Sequence, residues 1–145
     1  RFTASGKRFL LAHGSPNSPG EFIGPETPDQ RLNEIAERSE ADVIVLGHTH
    51  APFSRKVRGV WFVNPGSVGR PEGGDPRACY AIIRLREGYF RVQHYRVAYD
   101  AEQTAAALRD LGMPEALAIA CAVSMVLSPI PRGGLLIMRV SLRSS

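Results

Sequence analysis

The sequence predicts an α/β domain, on three observations. Arg8–Ala12 (RFLLA) and Ala41–Leu46 (ADVIVL) are short continuous apolar runs that stop at turn residues, so each reads as a strand buried on both faces. Between them, Leu32, Ile35 and Ala36 recur at helical spacing among charged residues, the pattern of a helix that lays one face on a sheet. Two further pairs of short runs are split by Arg58-Gly59 and Glu87-Gly88 and read as hairpins.

The elements follow in order. Arg1 is not an initiator Met, and Arg1–Lys7 has the character of neither a signal nor a transit peptide, so residues upstream of Arg1 are expected. The first strand runs into His13-Gly14-Ser15-Pro16, and Asn17–Pro28, rich in Pro, Gly and Ser, is a long surface loop. Thr27 or Asp29 is placed to cap the helix that continues to about Glu37. The second strand, Ala41–Leu46, ends in Gly47-His48-Thr49-His50. Ser54–Val57 and Val60–Val63 form the first hairpin, in which at least one of Trp61 and Phe62 packs in the core. Asn64-Pro65-Gly66-Ser67 then breaks the chain, and Arg70–Pro76 is a second Pro/Gly loop. Tyr80–Leu85 and Tyr89–Val97 form the second hairpin, with His94 read as a surface residue of an alternating strand. Glu102–Leu111 is an amphipathic helix closed by Gly112. From Ala116 onward there is no acidic residue. The apolar stretch Ala116–Leu127 is too short for a membrane span and reads as a packed helix or a disordered tail.

Bulk composition narrows the function. With 43% hydrophobic and 22% charged residues among 145, the chain is globular, not disordered. A net charge of +4 favours anionic ligands such as phosphate esters. No dense Lys/Arg stripe interleaved with aromatics calls for nucleic acid. Cys79 and Cys121 lie far apart and form no metal-type pair, which fits free thiols in a reducing, cytoplasmic compartment.

Three of the four histidines stand where predicted strands give way to loops, the place where α/β proteins hold ligands. A lone histidine such as His13 is commonly a hydrogen-bonded structural residue, whereas His48 and His50 act as a pair. If Gly47–His50 stays extended, side chains at i and i+2 face one site. Gly14 and Gly47 would let the backbone approach a bound ion or phosphate, and neutral imidazole suits Mn, Fe, Zn or Ni.

Three blocks in register carry a resemblance. Leu10-Leu11-Ala12-His13-Gly14-Ser15-Pro16, Val45-Leu46-Gly47-His48-Thr49-His50 and Val63-Asn64-Pro65-Gly66-Ser67-Val68-Gly69, followed by Gly74-Asp75-Pro76-Arg77-Ala78 and Val97-Ala98-Tyr99-Asp100, resemble the calcineurin-like metallophosphoesterases. The likeness is to the compact prokaryotic branch called diadenosine-tetraphosphatase-like or phosphodiesterase-like. It spans Arg8 to Ala118 and implies the C-terminal half of a four-layer α/β/β/α sandwich over residues 1–118. Residues 119–145 are then a divergent tail with no functional residue. The resemblance implies that His13 and His48 bind one divalent ion and His50 another, with Mn favoured and Fe, Zn or Ni possible. The family completes the centre with Asp-x-His, Gly-Asp and Gly-Asn-His blocks that lie upstream and have no counterpart here, so the missing N-terminal half is an expected partner. Asn64 belongs to the later turn and is not the family's Asn ligand.

Two ions a few ångströms apart repel and need bridging anions, which neutral imidazoles do not provide. A chain starting in mid-fold would also leave a parallel-sheet edge and an apolar face uncovered. The expected function is metal-dependent hydrolysis of phosphate mono- or diesters. Ser67, Arg70 and Arg77 are candidates to meet the phosphorylated substrate, no side chain is assigned as catalytic, and no membrane partner is expected. The alternative is a truncated or non-catalytic module that binds a phosphorylated ligand or partner. A serine hydrolase built on Ser67 is disfavoured, because Pro65 replaces the first glycine of a Gly-x-Ser-x-Gly elbow.

Overall fold

The computed structural model describes residues 1–69, 75, 77–113, 124–127 and 135–141. Their order is β1 (Phe2–Ala4), β2 (Lys7–Leu11), α1 (Asp29–Ser39), β3 (Val43–Val45), β4 (Phe53–Val57), β5 (Val60–Asn64), β6 (Ala78–Arg86), β7 (Tyr89–Val97), α2 (Ala101–Asp110), β8 (Ser124–Leu127) and β9 (Leu135–Ser141). The first sheet runs β1-β2-β3-β5-β4, with β2, β3 and β5 parallel and the two flanking strands antiparallel. The second sheet runs β7-β6-β9-β8 and is antiparallel throughout.

The apolar runs of β2, β3 and β5 are continuous because both faces of the first sheet are covered. Strand alternation sends Leu10, Ile44 and Phe62 to one face, where they pack with Leu32, Ile35 and Ala36 of α1. It sends Phe9, Val43, Val45 and Val63 to the other, against Ala81, Ile83 and Leu85 of β6. Helix, sheet and sheet are therefore stacked in three layers, as expected for the α/β class. Phe62 is fully buried, and Trp61 stacks on Phe90 of the second sheet with ring centroids 4.8 Å apart.

Both predicted hairpins form, and a third precedes them. β1 pairs with β2 through Ser5-Gly6 and occupies that side of β2. Ser5-Gly6 (φ 46° and 73°) and Arg58-Gly59 (φ 48° and 85°) both have two left-handed residues, the requirement of a tight turn that matches strand twist. The cap of α1 differs from expectation. Pro28 is the N-cap residue and no side chain caps the helix, because the Thr27 hydroxyl accepts the Gly24 N–H at 2.9 Å instead. Asp100 caps α2 by accepting the Gln103 N–H at 2.9 Å. Within Ala116–Leu127, read above as helix or disordered tail, Ser124–Leu127 is strand β8, and β9 hydrogen-bonds along β6. β9 takes the free edge of β6 and β8 pairs in turn with β9, so the backbone groups of both apolar segments gain partners as strands. Among the described residues no helix is long and apolar enough to cross a membrane.

Candidate metal centre

Parallel pairing puts the carboxyl ends of β2, β3 and β5 on one edge of the first sheet, with Leu11, Val45 and Val63 in register. The segments released there are His13–Pro28, Gly47–His50 and Asn64–Ser67. This is the crevice where open α/β sheets hold ligands.

His13 and His48 meet in it. His13 Nε2 lies 2.9 Å from His48 Nδ1, so one ring donates an N–H to the other. Burial, with a smaller contribution from charge on His48, pulls the His13 pKa below its ordinary value. Both effects favour the neutral imidazole that binds metal. His48 Nε2 is buried without a hydrogen-bond partner. An orphaned buried polar atom costs about 1–3 kcal/mol, and it is the donor a divalent cation would engage. The pair thus fits an imidazole-bound divalent ion. His50 is half-buried on the same turn, but among the described residues no group of three His, Cys, Asp or Glu side chains gathers at ligand spacing.

The extended backbone expected through Gly47–His50 is not found. His48 (φ 61°) and His50 (φ 57°) are both left-handed, and the Thr49 N–H donates to the Gly47 carbonyl at 2.7 Å. The chain therefore folds into a three-residue turn centred on His48, and strand alternation does not decide where the imidazoles point. Left-handed histidines are uncommon, and each costs of order 1 kcal/mol unless neighbours enforce it.

The neighbours that enforce it were missed by sequence reading. Asn64 is fully buried; its side-chain amide donates to the Gly47 carbonyl at 2.8 Å and to Thr49 Oγ1 at 3.0 Å, while its Oδ1 accepts the Gly66 N–H at 2.9 Å. His94, read above as a surface residue, is half-buried and donates from Nε2 to the Asn64 carbonyl at 2.8 Å. That bond ties β7 of the second sheet to the end of β5. The Thr49 hydroxyl in turn donates to the Ile23 carbonyl at 3.3 Å, coupling the histidine turn to the long loop. The available signal was an Asn at the last position of an apolar strand, which a buried site requires to be fully bonded.

The long loop is fastened along its length. A Cβ on Gly14 would fall 2.4 Å from the Pro19 carbonyl and 2.7 Å from those of Ser18 and Glu21, so that glycine admits its own loop, not an ion. Glu21 takes Arg31 Nε at 2.7 Å and Nη2 at 3.0 Å. Arg55 donates to the carbonyls of Pro25 and Thr27. Ile23 is 1% exposed, yet the adjacent Phe22 is 73% exposed, with its ring against His48 at a centroid distance of 4.4 Å. Leaving such a side chain in water forgoes about 1.5–3 kcal/mol of burial.

Ser67 is 1% exposed and its hydroxyl accepts the Gly69 N–H at 3.3 Å. Arg77 donates from Nε at 3.0 Å and Nη2 at 2.7 Å to Asp75, and holds the Asp75 carboxyl well below the usual carboxylate range. Arg70 lies outside the described residues.

Residues 1–88 match the model of the calcineurin-like phosphoesterase superfamily domain. Among curated proteins, the chain is 29% identical over 115 residues to the uncharacterized protein MJ0912 of Methanocaldococcus jannaschii, covering 68% of this chain and 44% of that protein. It is 34% identical over 77 residues to phosphodiesterase YfcE of Escherichia coli K12, covering 53% of this chain and 34% of the relative. The chain thus spans less than half the length of these two relatives. Among solved structures, a metallophosphoesterase from Sphaerobacter thermophilus superposes with a TM-score of 0.63 at 29% identity, over 77% of this chain and 53% of that one. The hypothetical protein PH1004 of Pyrococcus horikoshii shares the fold, with a TM-score of 0.66 at 21% identity, over 79% and 45% of the two chains.

Proposed function

Because this chain belongs to the calcineurin-like phosphoesterase superfamily, we propose that it supplies the histidine ligands of a divalent-metal centre that hydrolyses phosphate mono- or diesters. The observation that carries this reading is the His13–His48 contact at the carboxyl edge of the parallel strands, with His48 Nε2 buried and unpartnered. In this reading the centre holds two ions, Mn²⁺ by preference. His13 and His48 serve one and His50 the other. When bound, such ions supply Lewis acidity toward the phosphoryl oxygens and acidify water. The chain's own part is orientation. Asn64 and Thr49 hold the histidine turn, and burial keeps His13 neutral.

Bridging carboxylates and the remaining ligands belong, on this proposal, to a preceding segment of the complete protein. Ser67, Arg70 and Arg77 remain proposed phosphate contacts. Arg77 reaches an ester only by releasing Asp75. The proposed site of action is the cytoplasm, where the buried free thiol of Cys79 meets no oxidant.

The test is made on the complete protein, with metal content and hydrolysis of bis-p-nitrophenyl phosphate measured together. His48→Ala is expected to lose one ion per chain and to lower turnover by about 100-fold or more. Full activity after exhaustive chelation would sink the reading. A second reading, a non-catalytic module that binds a phosphorylated ligand, is favoured by one observation: no three-ligand cluster occurs among the described residues. It would be supported by metal-independent binding of a phosphate ester without turnover.

A further inference from the structure

Phe22 is exposed although everything around it is fixed. On one side Glu21 is clamped by Arg31; on the other Ile23 is buried and its carbonyl accepts the Thr49 hydroxyl. The backbone carbonyls of Ser18, Pro19 and Glu21 crowd Gly14. A tethered loop therefore presents one aromatic ring to solvent, and that ring contacts His48 with an interplanar angle of 53°. A ring left 73% exposed in this position has its outer face free. Such a face binds planar π-systems by stacking, and it does so whatever their hydrogen-bonding pattern.

We propose that Phe22 is a specificity-determining residue, whose open face stacks on a planar aromatic group, such as a nucleobase, carried by the phosphoester bound beside His48. The assignment rests on the phosphoester reading for the location of the phosphoryl group. Phe22 holds no proton and no ion. It selects among esters by their organic portion, and a bare sugar phosphate gains nothing from it.

The experiment uses the complete protein loaded with Mn²⁺ and two ligands that differ only by the base: adenosine 5′-monophosphate and ribose 5-phosphate. Their methyl esters serve as the diester pair. Binding is measured by calorimetry and turnover by the release of phosphate or methanol. Phe22→Ala is expected to weaken binding of the adenosine ligand about tenfold, to leave the ribose ligand within about twofold, and to be rescued by Phe22→Trp. Wild-type protein that binds the two ligands equally, or binds neither, overturns the proposal. So does equal loss of both in the variant, or a drop in melting temperature with discrimination unchanged, the mark of a ring that packs against the rest of the protein. Failure of the phosphoester reading looks different: the base-dependent binding and its loss in Phe22→Ala persist, and neither ester pair is hydrolysed.

Discussion

The three parallel strands of the first sheet end very differently at their two extremities. At the amino ends, left-handed backbone occurs in the hairpin turns Ser5-Gly6 and Arg58-Gly59, where strand pairing demands it and glycine takes part of the strain, and in Glu40, the C-cap residue that ends α1. The charges there form exposed pairs such as Arg8–Asp42 and Arg58–Glu37. At the carboxyl ends, the non-glycine residues with left-handed backbone are His48 and His50, in a turn that joins no hairpin. There a buried Asn64 supplies the bonds that hold it. The same backbone conformation is thus turn geometry at one end and side-chain aiming at the other. What separates the cases is whether buried polar groups enforce it.

The largest effect should come from removing that enforcement. Asn64→Ala removes the amide bonds to the Gly47 carbonyl and Thr49 Oγ1 and takes away the acceptor of the Gly66 N–H. It is expected to cost about 2–4 kcal/mol in urea unfolding, and about 10–100-fold in metal affinity of the complete protein. His94→Phe, which removes one bond to the Asn64 carbonyl, should move the same two readouts in the same direction by less. If Asn64→Ala leaves metal affinity unchanged, the turn is held by the fold as a whole and the contrast between the two ends fails.

Gly14→Ala comes next. Its Cβ would meet three backbone carbonyls at 2.4–2.7 Å, and backbone cannot swing aside as a side chain can. The expected loss is about 1–3 kcal/mol, with increased proteolysis within Asn17–Pro28. Glycine substitutions at the amino-end turns test the other side, because nothing lies within 4 Å of a Cβ at Gly6 or Gly59. There only the left-handed φ opposes alanine, at a cost of about 1 kcal/mol.

pH separates the ends as well. The folded-state pKa of His13 is lowered, first by burial and then by His48, so the unfolded chain takes up a proton first as pH falls. His13 therefore contributes stability that is fully present above about 6.5, the ordinary value for histidine, and lost as pH falls through the lower folded value. Urea midpoints at pH 7.5 and 5.5 should differ more for wild type than for His13→Gln. Equal differences would mean that His13 titrates as an open side chain.

The smallest effect belongs to the amino end. Arg58 and Glu37 approach to 3.4 Å with side chains 63% and 59% exposed. Glu37→Gln should shift unfolding free energy by no more than about 0.5 kcal/mol, and metal content not at all. A larger shift would place energetic weight where the comparison assigns none.

Local pattern alone determined much of this protein. The buried runs of β2, β3 and β5, the apolar face of α1 and the turns at Arg58-Gly59 and Glu87-Gly88 were legible because strand and helix periods and glycine turns act over a few residues. The histidines could likewise be seen at the ends of strands. Tertiary structure decided the rest. That His48 meets His13 depends on the parallel register of β2 and β3, 35 residues apart in the chain. The inversion of φ at His48 and His50, the bond from His94 to Asn64 across two sheets, and the pairing of β9 with β6 each depend on partners that no local window contains. A periodicity can say that a residue is near a strand end. Only the packed sheets say which buried polar group must bend the chain there, because the requirement that such groups be bonded is met globally.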